Sequence, residues 1–192
     1  MPPSSSWTIV VPVKGTHASK SRLGGDPARR LALAEAMALD TLEAALAVAP
    51  VVLVGPDLRG AFADLGATVV AELPDDGLNG AIARALATIP GPAAVLLADL
   101  PALRPEELAA ALAQGSLQES IMVPDAEGTG TTLITGRAPA FGPGSRAAHG
   151  ALGYRELDLP ATSGLRLDVD SPEALAAIPV ARLGPRTRSL VG

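Results

Sequence analysis

Five short and almost wholly apolar runs, at residues 8–13, 51–54, 68–71, 93–98 and 121–123, alternate with Ala- and Leu-rich stretches of helix-forming sequence. A strand that is apolar at every position has no face to give to water, so both of its faces must be covered. Strands separated by helical stretches join through crossovers and lie parallel. The pattern predicts an α/β fold: a Rossmann-like, mostly parallel sheet with helices on both faces. Its 192 residues suit a single domain spanning 1–192. Residues 1–6 and 184–192 are expected to be loose termini.

The helical stretches carry their own punctuation. One runs over 29–48, with Pro50 beyond its end, and a short one over 58–65 stops at Gly66. The stretch 78–88 is ended by Pro90-Gly91-Pro92. Residues 105–113 begin with a proline in the first turn, and Glu106 and Glu107 face the positive end of the dipole. After residue 123 the character changes. Gly and Thr crowd 128–136, Gly142-Pro143-Gly144 follows, strands are expected at 155–159 and 165–169, and a helix starts at Pro172. This part reads as an extension of the sheet that completes a second half-site.

Composition removes several function classes. Lys and Arg total 15 against 20 Asp and Glu, and aromatics are 2%, so the basic footprint and stacking platforms of a nucleic-acid binder are missing. The apolar runs are too short to span a bilayer, and Met1-Pro2-Pro3-Ser4-Ser5-Ser6 carries no basic residue of the kind that opens a signal peptide. The absence of cysteine excludes disulfides, thiolate metal sites and Cys nucleophiles. A cytoplasmic enzyme is the expectation, with no nucleic-acid or membrane partner. One local departure from the acidic balance matters: Lys14, Lys20, Arg22, Arg29 and Arg30 cluster with only Asp26 among them. Either this is a solvated face or it takes a small anionic ligand.

In open parallel sheets ligands bind beyond the carboxyl ends of the strands, which directs attention to the residues after Val13, Ala71, Ala98 and Val123. The first run leads into Lys14-Gly15-Thr16-His17-Ala18-Ser19-Lys20-Ser21-Arg22, a loop of small residues, hydroxyls and cations that suits phosphate oxygens but lacks the Walker spacing. It is an anion site or a polar surface loop. The run 93–98 delivers Asp99, the only charge between Arg84 and Arg104. A carboxylate at the end of a buried strand is costly unless paired or holding a cation, so a metal ligand is preferred to a turn or capping Asp. Asp168 and Asp170 alternate on the expected strand 165–169 and its exit, and so point to one side. Asp170 or Ser171 could instead cap the helix at Pro172. Mg²⁺ takes one or two carboxylates beside substrate oxygens and water, and Asp99 with one of this pair would serve. Asp75 or Asp76 could cap the helix after Gly77, while Asn79 could offer its amide to a base edge. Thr129, Thr131 and Thr132, with Gly128 and Gly130, form either a donor-rich anion loop or a hairpin with a glycine turn. Ser145 is expected to begin a helix. His17 and His149 are the only histidines, and both read as structural or surface residues.

Taken in order, Val11-Pro12-Val13-Lys14 with Ser19-Lys20-Ser21-Arg22-Leu23, Asp76-Gly77-Leu78-Asn79, Ala98-Asp99-Leu100-Pro101, Gly128-Thr129-Gly130-Thr131-Thr132, Phe141-Gly142-Pro143-Gly144-Ser145 with His149, and Asp168-Val169-Asp170-Ser171-Pro172-Glu173 resemble the phosphoenolpyruvate and 2-phospho-L-lactate guanylyltransferases of coenzyme F-420 biosynthesis. The resemblance covers nearly the whole chain. It implies the nucleotidyltransferase sheet shared with molybdenum-cofactor and sugar-nucleotide enzymes. The reaction implied is attack of a substrate phosphate on the α-phosphorus of GTP with loss of pyrophosphate, using Mg²⁺ and no protein nucleophile. It further implies that Lys14, Lys20 and Arg22 hold the triphosphate and act catalytically with Asp99. Ser19, Asp76 and Asn79 would lie on the nucleotide with Lys14. Asp99 and Asp168 or Asp170 would hold Mg²⁺, and Thr132, Gly142 and Ser145 would hold the three-carbon acid. The product would pass to a downstream transferase. Where the family has Thr before the helix proline, this chain has Ser171, which keeps the hydroxyl. Phosphoenolpyruvate is the expected acceptor. The alternatives are 2-phospho-L-lactate, a sugar phosphate or molybdopterin, or a non-catalytic nucleotide-binding module.

Overall fold

A computed structural model describes residues 7–13, 26–57, 60–73, 75–117 and 120–192, the side chains of 116 and 117 excepted. The apolar runs pair as expected. Strands β1 (Thr8–Pro12), β2 (Val51–Val54), β3 (Thr68–Val70), β4 (Ala93–Leu96), β5 (Ile121–Pro124), β6 (Thr131–Thr135) and β7 (Arg155–Glu156) form one seven-stranded sheet in the order β3-β2-β1-β4-β6-β5-β7. β1, β2, β3 and β4 are parallel to one another, and β5 and β7 pair in parallel. β6 runs against both of its neighbours, β4 and β5, and is the one reversed strand among the described residues. Residues 128–130 turn between β5 and β6, so the Gly/Thr segment makes the hairpin.

Alternate residues on each strand feed opposite layers. Ile9 and Val11 of β1, and Ala94 and Leu96 of β4, pack with Leu42, Ala45, Leu108 and Leu112 of helices α1 (Pro27–Leu46) and α4 (Pro105–Leu117). Val10 and Val95 point the other way, onto Ile82, Ala85 and Leu86 of α3 (Gly77–Ala87). The short α2 (Ala61–Asp64) adds the fully buried Phe62 to the first layer. The two-sided burial that the apolar runs demanded is therefore met. Among the described residues no helix is long and apolar enough to cross a membrane.

Helix starts follow local chemistry. Asp26 accepts from the Arg29 amide at 3.0 Å, with Pro27 in the first turn, so α1 begins two residues before the expected Arg29. Ser171, not Asp170, caps α6 (Pro172–Ala177), through the Ala174 amide at 3.1 Å. α5 spans Ser145–Ala151, as expected for its first residue.

Three expectations fail in the last third of the chain. Residues 165–169 are not a strand. Leu165 and Arg166 belong to a turn, in which Arg166 donates to the Ser163 carbonyl, and the chain then passes the exit of β4, where Val169 donates its amide to the Asp99 carbonyl at 3.0 Å. Leu165 and Val169 are fully buried without joining a ladder, and that burial produced the strand-like alternation. Of 155–159 only Arg155–Glu156 pairs as a strand, and Pro160 ends any continuation. Residues 184–192 are not loose: Pro185–Val191 form helix α7, after a 3-10 turn at Val180–Arg182. Its first turn is capped from afar, since the Asp40 carboxylate on α1 accepts from the amides of Arg186 at 3.2 Å and Thr187 at 2.8 Å. Residues 1–6 lie outside the described residues.

Candidate active site at the switch point of the sheet

The strand order reverses between β1 and β4: the chain steps outward to β2 and β3 on one side and to β6, β5 and β7 on the other. Ligand crevices in open α/β sheets form at such a point, beyond the carboxyl ends of the strands. β1 and β4 pair in parallel, with Val10 beside Val95, so both chains leave the sheet at the same edge. Lys14, Ser19, Lys20 and Arg22, with His17, follow β1 in sequence and lie outside the described residues. The β2 exit is closed tightly against Val13 at the end of β1: Gly55, at φ +137°, has the Val13 carbonyl where any Cβ would sit, 2.1 Å away.

β4 stops at Leu96, short of Asp99. Leu97 still donates to the Thr132 carbonyl at 2.9 Å, and the chain then bends. The three residues of the bend are each held by a different segment. The Asp99 carbonyl accepts from Val169, the Leu100 amide donates to Thr41 Oγ1 on α1 at 3.1 Å, and the Pro101 carbonyl accepts from Gly184 at 2.7 Å. Asp99 itself is half-buried, and the residues on either side in the core, Leu96 and Leu100, are fully so.

The contact with Val169 sets Asp168 beside Asp99. Burial first, and then the negative charges of Asp99, Asp125 and Asp170, together push the Asp168 carboxyl up to about 7. These are gathered oxygen donors whose ionised forms repel one another, an arrangement that suits a hard divalent cation. Among the described residues no three His, Cys, Asp or Glu side chains converge on one metal position. The protein could therefore offer a pair of carboxylates, the number Mg²⁺ takes when substrate and water supply the rest. Asp168 and Asp170 do not share a strand face: Asp168 is half-buried next to Asp99, and Asp170 is exposed.

The other expected ligands are spread over the β6–α5 side. Thr132 is buried, and its hydroxyl proton is directed at the carbonyls of Leu165 and Val123, leaving none for an anion in this conformation. Asn79 exchanges two hydrogen bonds with the backbone of Phe141, donating at 2.9 Å and accepting at 2.8 Å, which leaves one N–H and one lone pair of its amide for other use. Asp76 does not cap α3 with its side chain. It accepts from the Leu73 amide and pairs with Arg84 at 2.8 Å. Gly142 and Gly144 both take positive φ and turn the chain into α5, where the Ser145 amide donates back to the Gly142 carbonyl. The amides of Thr129 and Gly130 go to the Asp125 carboxylate at 2.9 and 2.6 Å, so the Gly/Thr turn spends two of its donors within itself.

His149 is structural. It is fully buried between Phe141 and Tyr154, both edge-on, and burial lowers its pKa from the ordinary value. Its Nε2 accepts from the Ala140 amide at 3.0 Å, so the proton of the neutral ring sits on Nδ1 and is donated to Thr131 Oγ1 at 3.0 Å.

Thr41, Asp40 and Arg166 were not singled out from sequence. Arg166 donates to the carbonyls of Leu159 and Asp125 and so ties the segment before Asp168 to the β5–β6 turn. Asp40-Thr41, a polar pair inside an otherwise apolar helix face, was a signal that could have been read. Both residues are buried.

The family model described as "Guanylyl transferase CofC like" matches residues 7–142, ending just before α5. The phosphoenolpyruvate guanylyltransferase of Streptomyces coelicolor is 46% identical over 201 residues, covering 96% of this chain and 95% of its own. Among solved structures, one assigned to the nucleotide-diphospho-sugar transferases, from Desulfovibrio desulfuricans, superposes with a TM-score of 0.69 at 20% identity, covering 97% of this chain and 94% of the other. A Mycobacterium tuberculosis protein solved in complex with manganese superposes with a TM-score of 0.59 at 21% identity, over 88% of this chain and 95% of its own.

Proposed function

This chain belongs to the family of CofC-like guanylyl transferases, and from that membership we propose that it transfers GMP from GTP to phosphoenolpyruvate in coenzyme F-420 biosynthesis. A phosphate oxygen of the acid attacks the α-phosphorus of GTP. The bond to the β-phosphate breaks, pyrophosphate leaves, and enolpyruvyl-diphospho-guanosine forms. No side chain becomes covalently attached, so the protein's task is to hold the two anions in line and to neutralise charge.

One observation carries the local assignment: Asp99 and Asp168 are brought together at the β1/β4 switch point, with burial and like charge pushing Asp168 up to about 7. We assign these two as holders of a divalent cation, magnesium by the hardness of the donor set. Bound there, it would offset the negative charge of the triphosphate. A Mycobacterium tuberculosis protein of the same fold has been solved in complex with manganese, which agrees with the use of a divalent ion.

Lys14, Lys20 and Arg22 are assigned to the triphosphate, as the cations of the sequence that follows β1, the strand next to β4. Ser19, Asp76 and Asn79 remain assigned to the nucleotide side. For Asp76 and Asn79 the part is indirect, since they fix the start of α3 and the Phe141 segment. Gly142 and Ser145 are assigned to the acid, together with the backbone around Thr132, whose hydroxyl is turned away. GTP and phosphoenolpyruvate are soluble metabolites, and a cytoplasmic location is proposed along with them. The reactive diphosphate product is suited to consumption by a downstream transferase.

Pyrophosphate release tests the proposal. With Mg²⁺ present, GTP and phosphoenolpyruvate should give release, ATP or CTP should give little, and 2-phospho-L-lactate should be the poorer acceptor. No release from GTP with either acid would overturn it.

A further inference from the structure

We propose that Thr41, in the middle of α1, is a positioning residue for Asp99. The inference rests on the reading of Asp99 as a cation ligand and extends it to a residue that touches neither cation nor substrate.

Thr41 is fully buried. Its hydroxyl donates to the Met37 carbonyl one helical turn back at 2.8 Å. That bond uses the only proton and fixes the rotamer, so the lone pair facing outward from the helix is an acceptor with a set direction. The Leu100 amide donates to it at 3.1 Å across 59 positions of sequence. Leu100 is the residue directly after Asp99 and is itself fully buried, so no water stands ready to replace the threonine.

The bonds on either side are made by backbone. Val169 holds the Asp99 carbonyl and Gly184 holds the Pro101 carbonyl. Of the three clamps on the bend, the one on Leu100 is therefore the one a side chain supplies, and the one a substitution removes cleanly. The peptide plane between Asp99 and Leu100 carries the Asp99 carbonyl at one end and this amide at the other. Releasing the amide lets that plane tilt, and the Asp99 side chain leaves from the atom it pivots on. Thr41 is followed on the helix by Leu42, fully buried in the main core, and preceded by Asp40, which caps α7. The acceptor therefore sits on a helix fixed on both sides, where a small displacement of the bend has no compensating slack.

The test compares Thr41→Val, which keeps the shape and loses the acceptor, with Thr41→Ser, which keeps it. The probe is Mn²⁺, titrated into the folded protein by electron paramagnetic resonance, with turnover read separately. Thr41→Val should raise the Mn²⁺ concentration at half-saturation about tenfold and lower kcat, leaving the KM for GTP within about twofold. Thr41→Ser should stay within about twofold of the original chain in all three. Should Thr41→Val not fold, Thr41→Cys takes its place, and its weaker acceptor should give an intermediate rise. Unchanged Mn²⁺ binding in the Val or Cys variant overturns the proposal, and so does a Ser variant as impaired as the Val. Wild-type protein that binds no Mn²⁺, or an Asp99→Asn protein that binds it equally well, overturns the reading of Asp99, and the role of Thr41 falls with it.

Discussion

The bend at 99–101 and the segment at 138–145 both border the candidate site, and both are held by contacts to their backbone groups. They are held differently. The bend takes one clamp each from α1, the 165–169 segment and the residue before α7, and none of the three titrates. The other segment hangs on three side chains, the Tyr154 hydroxyl on Ala138, the His149 ring on Ala140 and the Asn79 amide on Phe141, and the first two of them titrate. On the proposed reading the bend presents a carboxylate that must stay charged and in place, and the 138–145 segment presents mostly backbone. The group proposed to work as a charge is then fixed by neutral partners, while the segment that only keeps its course rests on ionisable ones.

The sharpest way to break this contrast is Asp99→Asn. It should lower turnover by roughly 10³-fold while moving the melting temperature little, because the amide keeps the volume and loses the charge. Pyrophosphate release and thermal denaturation on the same preparation check it. Turnover within tenfold of the original would show that the bend positions something other than a charged ligand.

Asn79→Ala should do the reverse. Two hydrogen bonds to Phe141 vanish, leaving a buried amide and carbonyl short of partners. The expected cost is about 2–4 kcal/mol of stability, with a smaller loss in kcat. Chemical denaturation checks the first part. If stability is retained and the KM for GTP rises steeply instead, Asn79 reads the base and the brace is secondary.

The smallest effect is in pH. His149 has its pKa lowered by burial, so below its ordinary value near 6.5 the unfolded chain binds a proton that the folded one refuses. Stability from this group is complete above that value and is lost as pH falls below it, because protonated Nε2 cannot accept from Ala140. Asp168 has the opposite sign. Its carboxyl is raised to about 7, so between its ordinary value and about 7 the folded state holds the extra proton and stability falls as pH rises. Denaturation of metal-free protein from pH 5 to 8 should therefore lose its acid-side decline in His149→Gln and its alkaline-side decline in Asp168→Asn. Unchanged profiles in both variants would remove titration from the comparison.

The parallel half of the sheet was open to reading because apolar content settles it. Ile9, Val10 and Val11 leave no polar face, and such a strand has few places to go. Asp99 stood out for the same reason, as a lone charge at the end of one of these runs. The half after residue 123 misled where long-range contacts mimic local ones. Leu165, Leu167 and Val169 alternate as a strand would, but their partners are the core and the Asp99 carbonyl. Gly184-Pro185 looked like the start of a frayed end because the cap of α7 is Asp40, 147 positions from Thr187. Thr41 passed unremarked because a threonine in a helix is ordinary until its Oγ1 is seen to face Leu100.

The bonds that bracket Asp99 also differ from the ladders of the sheet in how they are shared. β1 and β4 meet along a row of paired residues, whereas the three residues of the bend are held by three separate segments of chain. A row of bonds opens together, while separate contacts can be lost one at a time. Local opening of the chain before α7, or of the residues around Val169, would therefore loosen the bend while the sheet stays closed.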